Sequence, residues 1–235
     1  MDNGMINQII LVTDGQSNIG GDPALAAYEA ASQGIIVNAI GIIDPSSVGM
    51  QEIKDIAKAG NGQYQLVQIE DLASSMVLVT HQSVQATLEQ IVSSQLKQLI
   101  GSEVGDISPK KRGKVFEFIE RLQDEIALKC LILTDTSGSM SNKLQAARES
   151  IISLFKSLEI RSGKNLIGVM SFPNGSSGYT KIISPFTDNC SELEDELLKL
   201  QPSGNTPTAP ALRAAISYFL QTKEDNNGLL EQFVV

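Results

Sequence analysis

One stretch constrains the fold more than any other: an apolar run that ends abruptly in a polar turn. Leu131, Ile132 and Leu133 are followed by Thr134 and by the segment Asp-Thr-Ser-Gly-Ser at residues 135–139. A short apolar run that stops at a Gly-containing polar turn is typical of a buried parallel strand and its exit loop. Because open α/β sheets bind ligands at the carboxyl ends of their strands, this loop is a candidate binding site.

The polar turn carries oxygen atoms of the kind that hard divalent cations prefer. Asp135 offers a carboxylate, and Ser137 and Ser139 offer hydroxyls, with Gly138 between the two serines allowing a tight curl. Mg²⁺, Mn²⁺ and Ca²⁺ are bound in proteins mainly through oxygen. Taken alone, the segment also fits an ordinary surface turn, because Asp, Ser and Gly all favour turns. A metal site therefore needs further oxygen ligands from elsewhere in the chain.

Two other segments supply such oxygens. The apolar run 8–13 ends on Asp14 and Gly15, in the sequence Thr-Asp-Gly. A loop rich in Gly and Pro, residues 203–210, carries Thr206 just before an apolar helical pattern. Asp14 follows the end of a predicted strand, as Asp135 does, and Thr206 precedes the start of a predicted helix.

These three motifs together resemble the von Willebrand factor A (vWA) domain family. The metal-ion-dependent adhesion site (MIDAS) of that family uses D-x-S-x-S, then a Thr in a G-x-T-x-x-x-x-A-L stretch, then an Asp in T-D-G. The resemblance implies one divalent ion, Mg²⁺ or alternatively Mn²⁺ or Ca²⁺. It also implies the five metal-binding residues, which are Asp135, Ser137, Ser139, Thr206 and Asp14.

The order of the motifs differs from that of the family. Its members run D-x-S-x-S first and T-D-G last, whereas T-D-G comes first here. We therefore interpret residues 1–235 as a single, circularly permuted vWA domain, similar to a YabS-like group of bacterial proteins. In this interpretation residues 1–80 form the C-terminal half of the fold, residues 81–125 a helical connector, and residues 126–235 the N-terminal half. The T-D-G strand should then lie beside the D-T-S-G-S strand.

The alternation of apolar runs and helical patterns predicts an α/β fold. Together with the resemblance it implies a three-layer, Rossmann-like architecture with helices on both faces of a mostly parallel central sheet and one antiparallel edge strand. Ser191 and Glu194 have the spacing of a capping box at the start of a late helix. The predicted strands are residues 8–13, 35–43, 63–67, 126–134, 166–172 and 179–186.

Composition limits the partners and the compartment. A net charge of −9 argues against nucleic acid or an anionic membrane as the main partner. No apolar run approaches the ~20 residues of a membrane span, and the first residues lack the pattern of a signal peptide. Two cysteines, Cys130 and Cys190, are too few for a disulfide framework. We therefore expect a cytoplasmic protein.

The resemblance implies a protein-binding module rather than an enzyme, with a partner carboxylate completing the coordination of the metal. One alternative is a Mg²⁺-dependent phosphohydrolase with Asp135 as nucleophile. Ser137 argues against it, because it stands where such enzymes carry a second Asp as general acid. Another alternative is a vWA scaffold that binds no metal. The only histidine, His81, lies in a helical pattern and is expected to be a packed or exposed residue rather than a catalytic base.

The last six residues complicate the predicted sheet. Residues 230–235 resemble residues 6–11 position by position, although a chance match remains an alternative. Both segments would compete for one place in the sheet, and only the first brings Asp14, so we expect the tail to be displaced. We expect a monomer whose halves pair within one chain, because intramolecular pairing has the higher effective concentration. Exchange between two chains, or a dimer formed through the tail, remains open.

Overall fold

The computed structural model describes residues 4–43, 49–100, 108–174, 178–202 and 204–224. Two short 3₁₀ helices, Ile69–Asp71 and Gly138–Met140, accompany the main elements. The tail at residues 230–235 lies outside the described residues. In chain order the elements are β1 (Met5–Thr13), α1 (Pro23–Ser32), β2 (Ile35–Ile42), α2 (Met50–Ala59), β3 (Asn61–Val67), α3 (Leu72–Ile100), α4 (Pro109–Glu125), β4 (Ala127–Asp135), α5 (Leu144–Glu159), β5 (Asn165–Phe172), β6 (Lys181–Thr187), α6 (Cys190–Leu197) and α7 (Thr208–Glu224).

The strands form one sheet in the order β3-β2-β1-β4-β5-β6. Neighbouring strands are parallel except for β5 and β6, which pair antiparallel at one edge. In the centre, β1 pairs with β4 from Met5 opposite Ala127 to Val12 opposite Thr134. This confirms the prediction that the T-D-G strand lies beside the D-T-S-G-S strand. The carboxyl ends of β1 and β4 therefore lie next to each other at the same edge of the sheet.

Helices cover both faces of the sheet, because alternate side chains of the central strands point to opposite sides. Ile10 and Ile132 lie in the core that α3, α4, α5 and α6 form on one face. Ile9 and Leu131 lie in the core that α1, α2 and α7 form on the other. The predicted fold class is therefore confirmed: a three-layer α/β fold with a mostly parallel sheet and one antiparallel edge pair.

The start of α6 differs from the prediction. The N-cap of this helix is Asn189, whose side chain accepts a hydrogen bond from the N–H of Ser191 at 3.1 Å. The capping box expected from Ser191 and Glu194 is therefore wrong, because Ser191 already lies inside the helix. Asparagine is as good an N-cap as serine, so the local pattern alone could not decide between them.

Three other expectations can be compared with the described part of the chain. None of its helices is long and apolar enough to cross a membrane. Cys130 is fully buried in β4 and Cys190 is half-buried, and both thiols are free. His81 lies in α3, with Nδ1 3.4 Å from Nε2 of Gln123 on α4. It joins two helices, as expected for a packing residue.

Candidate metal site

Asp135 lies at the heart of the candidate site as the last residue of β4, and it is fully buried. Its Oδ2 accepts a hydrogen bond of 2.6 Å from the hydroxyl of Thr13 on the neighbouring strand β1. Its Oδ1 accepts one of 2.7 Å from the backbone N–H of Ser137. Burial raises the pKa of Asp135 to about 6, although these hydrogen bonds lower it; the nearby charge of Asp14 raises it further.

Asp14 meets the two serines of the first loop. The Ser139 hydroxyl donates to Oδ1 of Asp14 at 2.7 Å, across 125 positions of sequence. The Oγ atoms of Ser137 and Ser139 are 3.2 Å apart. Ser137 and Asp14 are buried, whereas Ser139 is exposed. The three side chains thus form a hydrogen-bonded chain whose two ends, Ser137 and Asp14, are buried and whose middle member, Ser139, lies at the protein surface.

The loop that carries Thr206 is fastened to both other loops. The N–H of Gly138 donates to the carbonyl oxygen of Gly204 at 3.3 Å, which joins it to the D-T-S-G-S loop. Asn18, which follows the T-D-G turn, binds Thr206 twice: its N–H donates to the Thr206 carbonyl at 3.2 Å, and its Oδ1 accepts from the Thr206 N–H at 3.1 Å. Thr206 is buried, so its hydroxyl is held at the meeting point of the three loops.

Four residues outside the five predicted ligands also hold this arrangement in place. Lys143 lies with its Nζ 2.5 Å from Oδ2 of Asp14, and Glu52 on α2 accepts a hydrogen bond of 2.8 Å from the N–H of Ser17. Burial raises the pKa of Glu52. Thr13 and Asn18 act directly on Asp135 and Thr206. Thr13 is part of the T-D-G motif and could have been suspected, whereas the other three are recognisable only from the folded structure.

The donor set suits a hard divalent cation. Two carboxylates and three hydroxyls come from three loops that hydrogen bonds join, and Mg²⁺, Mn²⁺ and Ca²⁺ prefer oxygen ligands. The Thr206 hydroxyl makes no hydrogen bond to any other residue that the structure describes. In the same part of the chain, no group of three or more His, Cys, Asp or Glu side chains is placed so that it could hold a metal ion. The five residues therefore fit an oxygen-bound cation and give no indication of a zinc site built on Cys or His.

Comparison with known proteins places this arrangement in a family. A family model described as von Willebrand factor type A domain matches residues 130–230, and a second model of that description matches residues 2–84. An uncharacterized protein of Bacillus subtilis (strain 168), YabS, is 39% identical over 224 residues, which cover 93% of this chain and 91% of YabS.

A solved structure resembles the whole chain. The crystal structure of an uncharacterized protein from Alicyclobacillus acidocaldarius subsp. acidocaldarius DSM 446 has a TM-score of 0.88 and 38% sequence identity, and the match covers 94% of this chain and 97% of that one. Identity at this level over nearly the full length, together with the two matching family models, shows the relationship. The chain belongs to the von Willebrand factor type A domain family.

Proposed function

We propose that this protein is a metal-ion-dependent protein-binding module. One divalent ion, Mg²⁺ or alternatively Mn²⁺ or Ca²⁺, is held by a MIDAS-type site, and a carboxylate of a protein partner completes its coordination. The five residues that would hold the ion are Asp135, Ser137, Ser139, Thr206 and Asp14.

The observation that carries the proposal is the hydrogen bond of 2.7 Å between Ser139 Oγ and Asp14 Oδ1. It joins two motifs that lie 125 positions apart in the chain, at the carboxyl ends of neighbouring parallel strands. Ser139 is exposed, so the chain of oxygens that starts at the buried Asp135 reaches a surface that a partner can touch. A bound ion would supply an electrophilic centre for that partner, and three neutral hydroxyls among its ligands would leave much of its positive charge available.

The surroundings of Asp135 favour binding over catalysis. A nucleophilic carboxylate needs one oxygen free and open to the substrate. Both oxygens of Asp135 accept hydrogen bonds, from Thr13 and from the backbone of Ser137, and the residue is fully buried. These contacts argue against a phosphohydrolase that uses Asp135 as nucleophile, and we propose that the protein is not an enzyme. A scaffold that binds no metal is the remaining alternative, and metal titration tests it.

The proposal extends to the organisation of the chain. We propose that residues 1–235 are one permuted vWA domain, with residues 1–80 and 126–235 as its two halves and residues 81–125 as the connector. The pairing of β1 with β4 in one sheet supports this division. We also propose a cytoplasmic monomer, which the two free thiols and the negative net charge support.

Panning a peptide library on the immobilised protein tests the partner chemistry. With Mg²⁺ present, the retained peptides are expected to share an Asp or Glu, and EDTA is expected to release them, because the metal bridges protein and peptide. A matrix carrying Ser139→Ala is the matched control and should retain few peptides. Enrichment of peptides without an acidic residue, or retention in EDTA, would contradict the proposed mode of binding.

Metal affinity is expected to fall as the pH drops below about 6, because protons compete with the metal for Asp135. The pKa of this carboxyl lies at about 6 instead of its ordinary 3.8, chiefly because of burial. Binding needs the ionised form, so the association constant for Mn²⁺ should fall by up to about tenfold per pH unit below that value. Calorimetric titration across this range measures it, and an affinity that does not change there would refute the expectation.

Thr13→Val and Thr134→Val provide a matched pair for this pH profile. Thr13 donates to Asp135, and this bond lowers the pKa, so its loss should move the midpoint to higher pH. Thr134 is a neighbouring buried residue whose hydroxyl has no partner among the described residues, so its loss should leave the midpoint unchanged.

In the metal-free protein, the raised pKa of Asp135 contributes stability below pH about 4, which is lost as the pH rises through about 6.

A further inference from the structure

The amino group of Lys143 lies inside the candidate site. Its Nζ is 2.5 Å from Oδ2 of Asp14, and the two side chains are 12% and 1% exposed. A pair near the other end of the same helix is very different: Lys156 and Glu194 are 3.4 Å apart, with side chains 62% and 44% exposed. Exposed ion pairs contribute little to stability and are screened by salt. The charge of a lysine that lies against a buried carboxylate is screened much less.

Lys143 is held in this position by the backbone. Its N–H donates to the carbonyl of Met140 at 2.8 Å, and its own carbonyl accepts from the N–H of Ala147 at 3.0 Å. The residue is the N-cap of α5, where the helix dipole favours anions and disfavours a lysine. A cation at this end of a helix is therefore unfavourable unless an anion compensates it, and Asp14 provides that anion.

Both oxygens of Asp14 are consequently engaged. Ser139 donates to Oδ1 and Lys143 donates to Oδ2. The ammonium group thus lies in the negative field that a divalent ion would also occupy, and it neutralises one of the two carboxylates of the proposed metal site.

We propose that Lys143 is a built-in cation of the metal site, which holds the Asp14 carboxylate in place and lowers the affinity of the site for divalent metal. This inference rests on the proposed function. In the absence of metal the lysine compensates the buried charge of Asp14. With metal bound it repels the ion, which keeps binding reversible and leaves part of the ion's attraction for a carboxylate of the partner.

Lys143→Met tests this by removing the charge from a side chain of similar length. The loss of one positive charge a few ångströms from a divalent ion should raise the affinity for Mn²⁺ roughly tenfold or more. Isothermal calorimetry with Mn²⁺ alone measures the affinity. Lys143→Arg keeps the charge and should stay close to the unmodified protein. Lys156→Met, which removes an exposed pair on the same helix, should not change the affinity.

Thermal unfolding gives a second measurement that does not depend on a partner. In EDTA, Lys143→Met should unfold at lower temperature than the unmodified protein, because Asp14 is buried without its cation. Mn²⁺ should raise its melting temperature more than it raises that of the unmodified protein. If Lys143→Met does not fold, Lys143→Gln replaces it, since glutamine can still donate a hydrogen bond to Asp14 without a charge.

The outcomes separate this inference from the proposed function. If the unmodified protein binds Mn²⁺ and the uncharged variants bind it equally or more weakly, the proposed function stands and the role of Lys143 is refuted. If the uncharged variants alone bind measurably, the built-in cation is supported in its strongest form. If neither the unmodified protein nor any variant binds Mn²⁺, the metal site itself is refuted, and the role of Lys143 with it.

Discussion

Asp135→Ala is expected to lower the affinity for Mn²⁺ or Mg²⁺ at least about a hundredfold, which removes measurable binding. Asp135 is the one carboxylate that the structure places at the buried end of the oxygen chain, between Thr13 of β1 and the backbone of Ser137. Its loss removes a negative charge and also releases the loop that carries the two serines. Calorimetric titration with the metal measures the effect.

A second variant, Asp135→Asn, is needed to separate loss of metal binding from loss of folding stability. Asp135 looks like a loop residue in the sequence, and its removal would then disturb the fold little. In the structure it ends β4 and is fully buried. Alanine therefore leaves the buried N–H of Ser137 without its acceptor, at a cost of about 1–3 kcal/mol, and leaves the Thr13 hydroxyl with only the longer contact of 3.3 Å to the carbonyl of Gly15. Removing a buried charge offsets part of that cost. Asp135→Asn keeps the shape and an acceptor, so it should fold more stably than the alanine variant and still lose most of the affinity.

Asp71→Ala is the matched control for these two variants. Asp71 is an exposed carboxylate after β3, at the same edge of the sheet, and its side chain takes no part in the candidate site. Its removal should leave the affinity within about twofold, since exposed charges at a distance are largely screened. If Asp135→Asn binds metal as the unmodified protein does, the ligand assignment is wrong.

The sequence allowed prediction of the fold class and of the residues that meet at the sheet edge. The reason is physical: both Thr13 and Thr134 end apolar runs that are long enough for buried strands. The carboxyl ends of parallel neighbours must meet. The family resemblance added the third loop, with Thr206. The steps before that one need only local patterns and the geometry of parallel strands.

Other features could not be predicted, because they depend on distances between segments far apart in the chain. Lys143 lies four positions after Ser139, and nothing in that spacing says that its amino group turns back to Asp14. The two hydrogen bonds between Asn18 and Thr206 join loops 188 positions apart. The prediction of where α6 begins failed for a different reason. Asn189 and Ser191 are both acceptable N-caps, and only the path of the chain decides between them.

Separation of the two halves is the second change with a large expected effect. Fragments 1–104 and 105–235, cut outside the described residues, should each fail to fold alone. Each would expose one of the two central strands, β1 or β4, as an edge of unpaired backbone groups. Each would also lose a helix layer contact: α3 packs on α5, and α1 packs on α7, where Arg213 donates two hydrogen bonds of 2.8 and 2.9 Å to Glu29.

Together the fragments should associate and restore the proposed metal site. We expect them to co-purify after co-expression, to show the circular dichroism of the intact chain, and to bind Mn²⁺ at protein concentrations that keep them paired, because the connector no longer supplies a high effective concentration. Ile10→Asp in the first fragment should prevent association, since it buries a charge in the core between the halves. Leu25→Asp, on an exposed position of α1, should not.

Fragment 105–235 tests whether the proposed metal site needs both halves of the chain. It carries four of the five predicted ligands: Asp135, Ser137, Ser139 and Thr206. It lacks Asp14 and Thr13, so Ser139 and Asp135 each lose a hydrogen-bond partner from the other half. If this fragment folds alone and binds Mn²⁺ as tightly as the intact chain, Asp14 is not part of the site, and residues 105–235 form a domain by themselves. Binding that appears only after the first fragment is added would mean that the metal site is built from both halves of the chain.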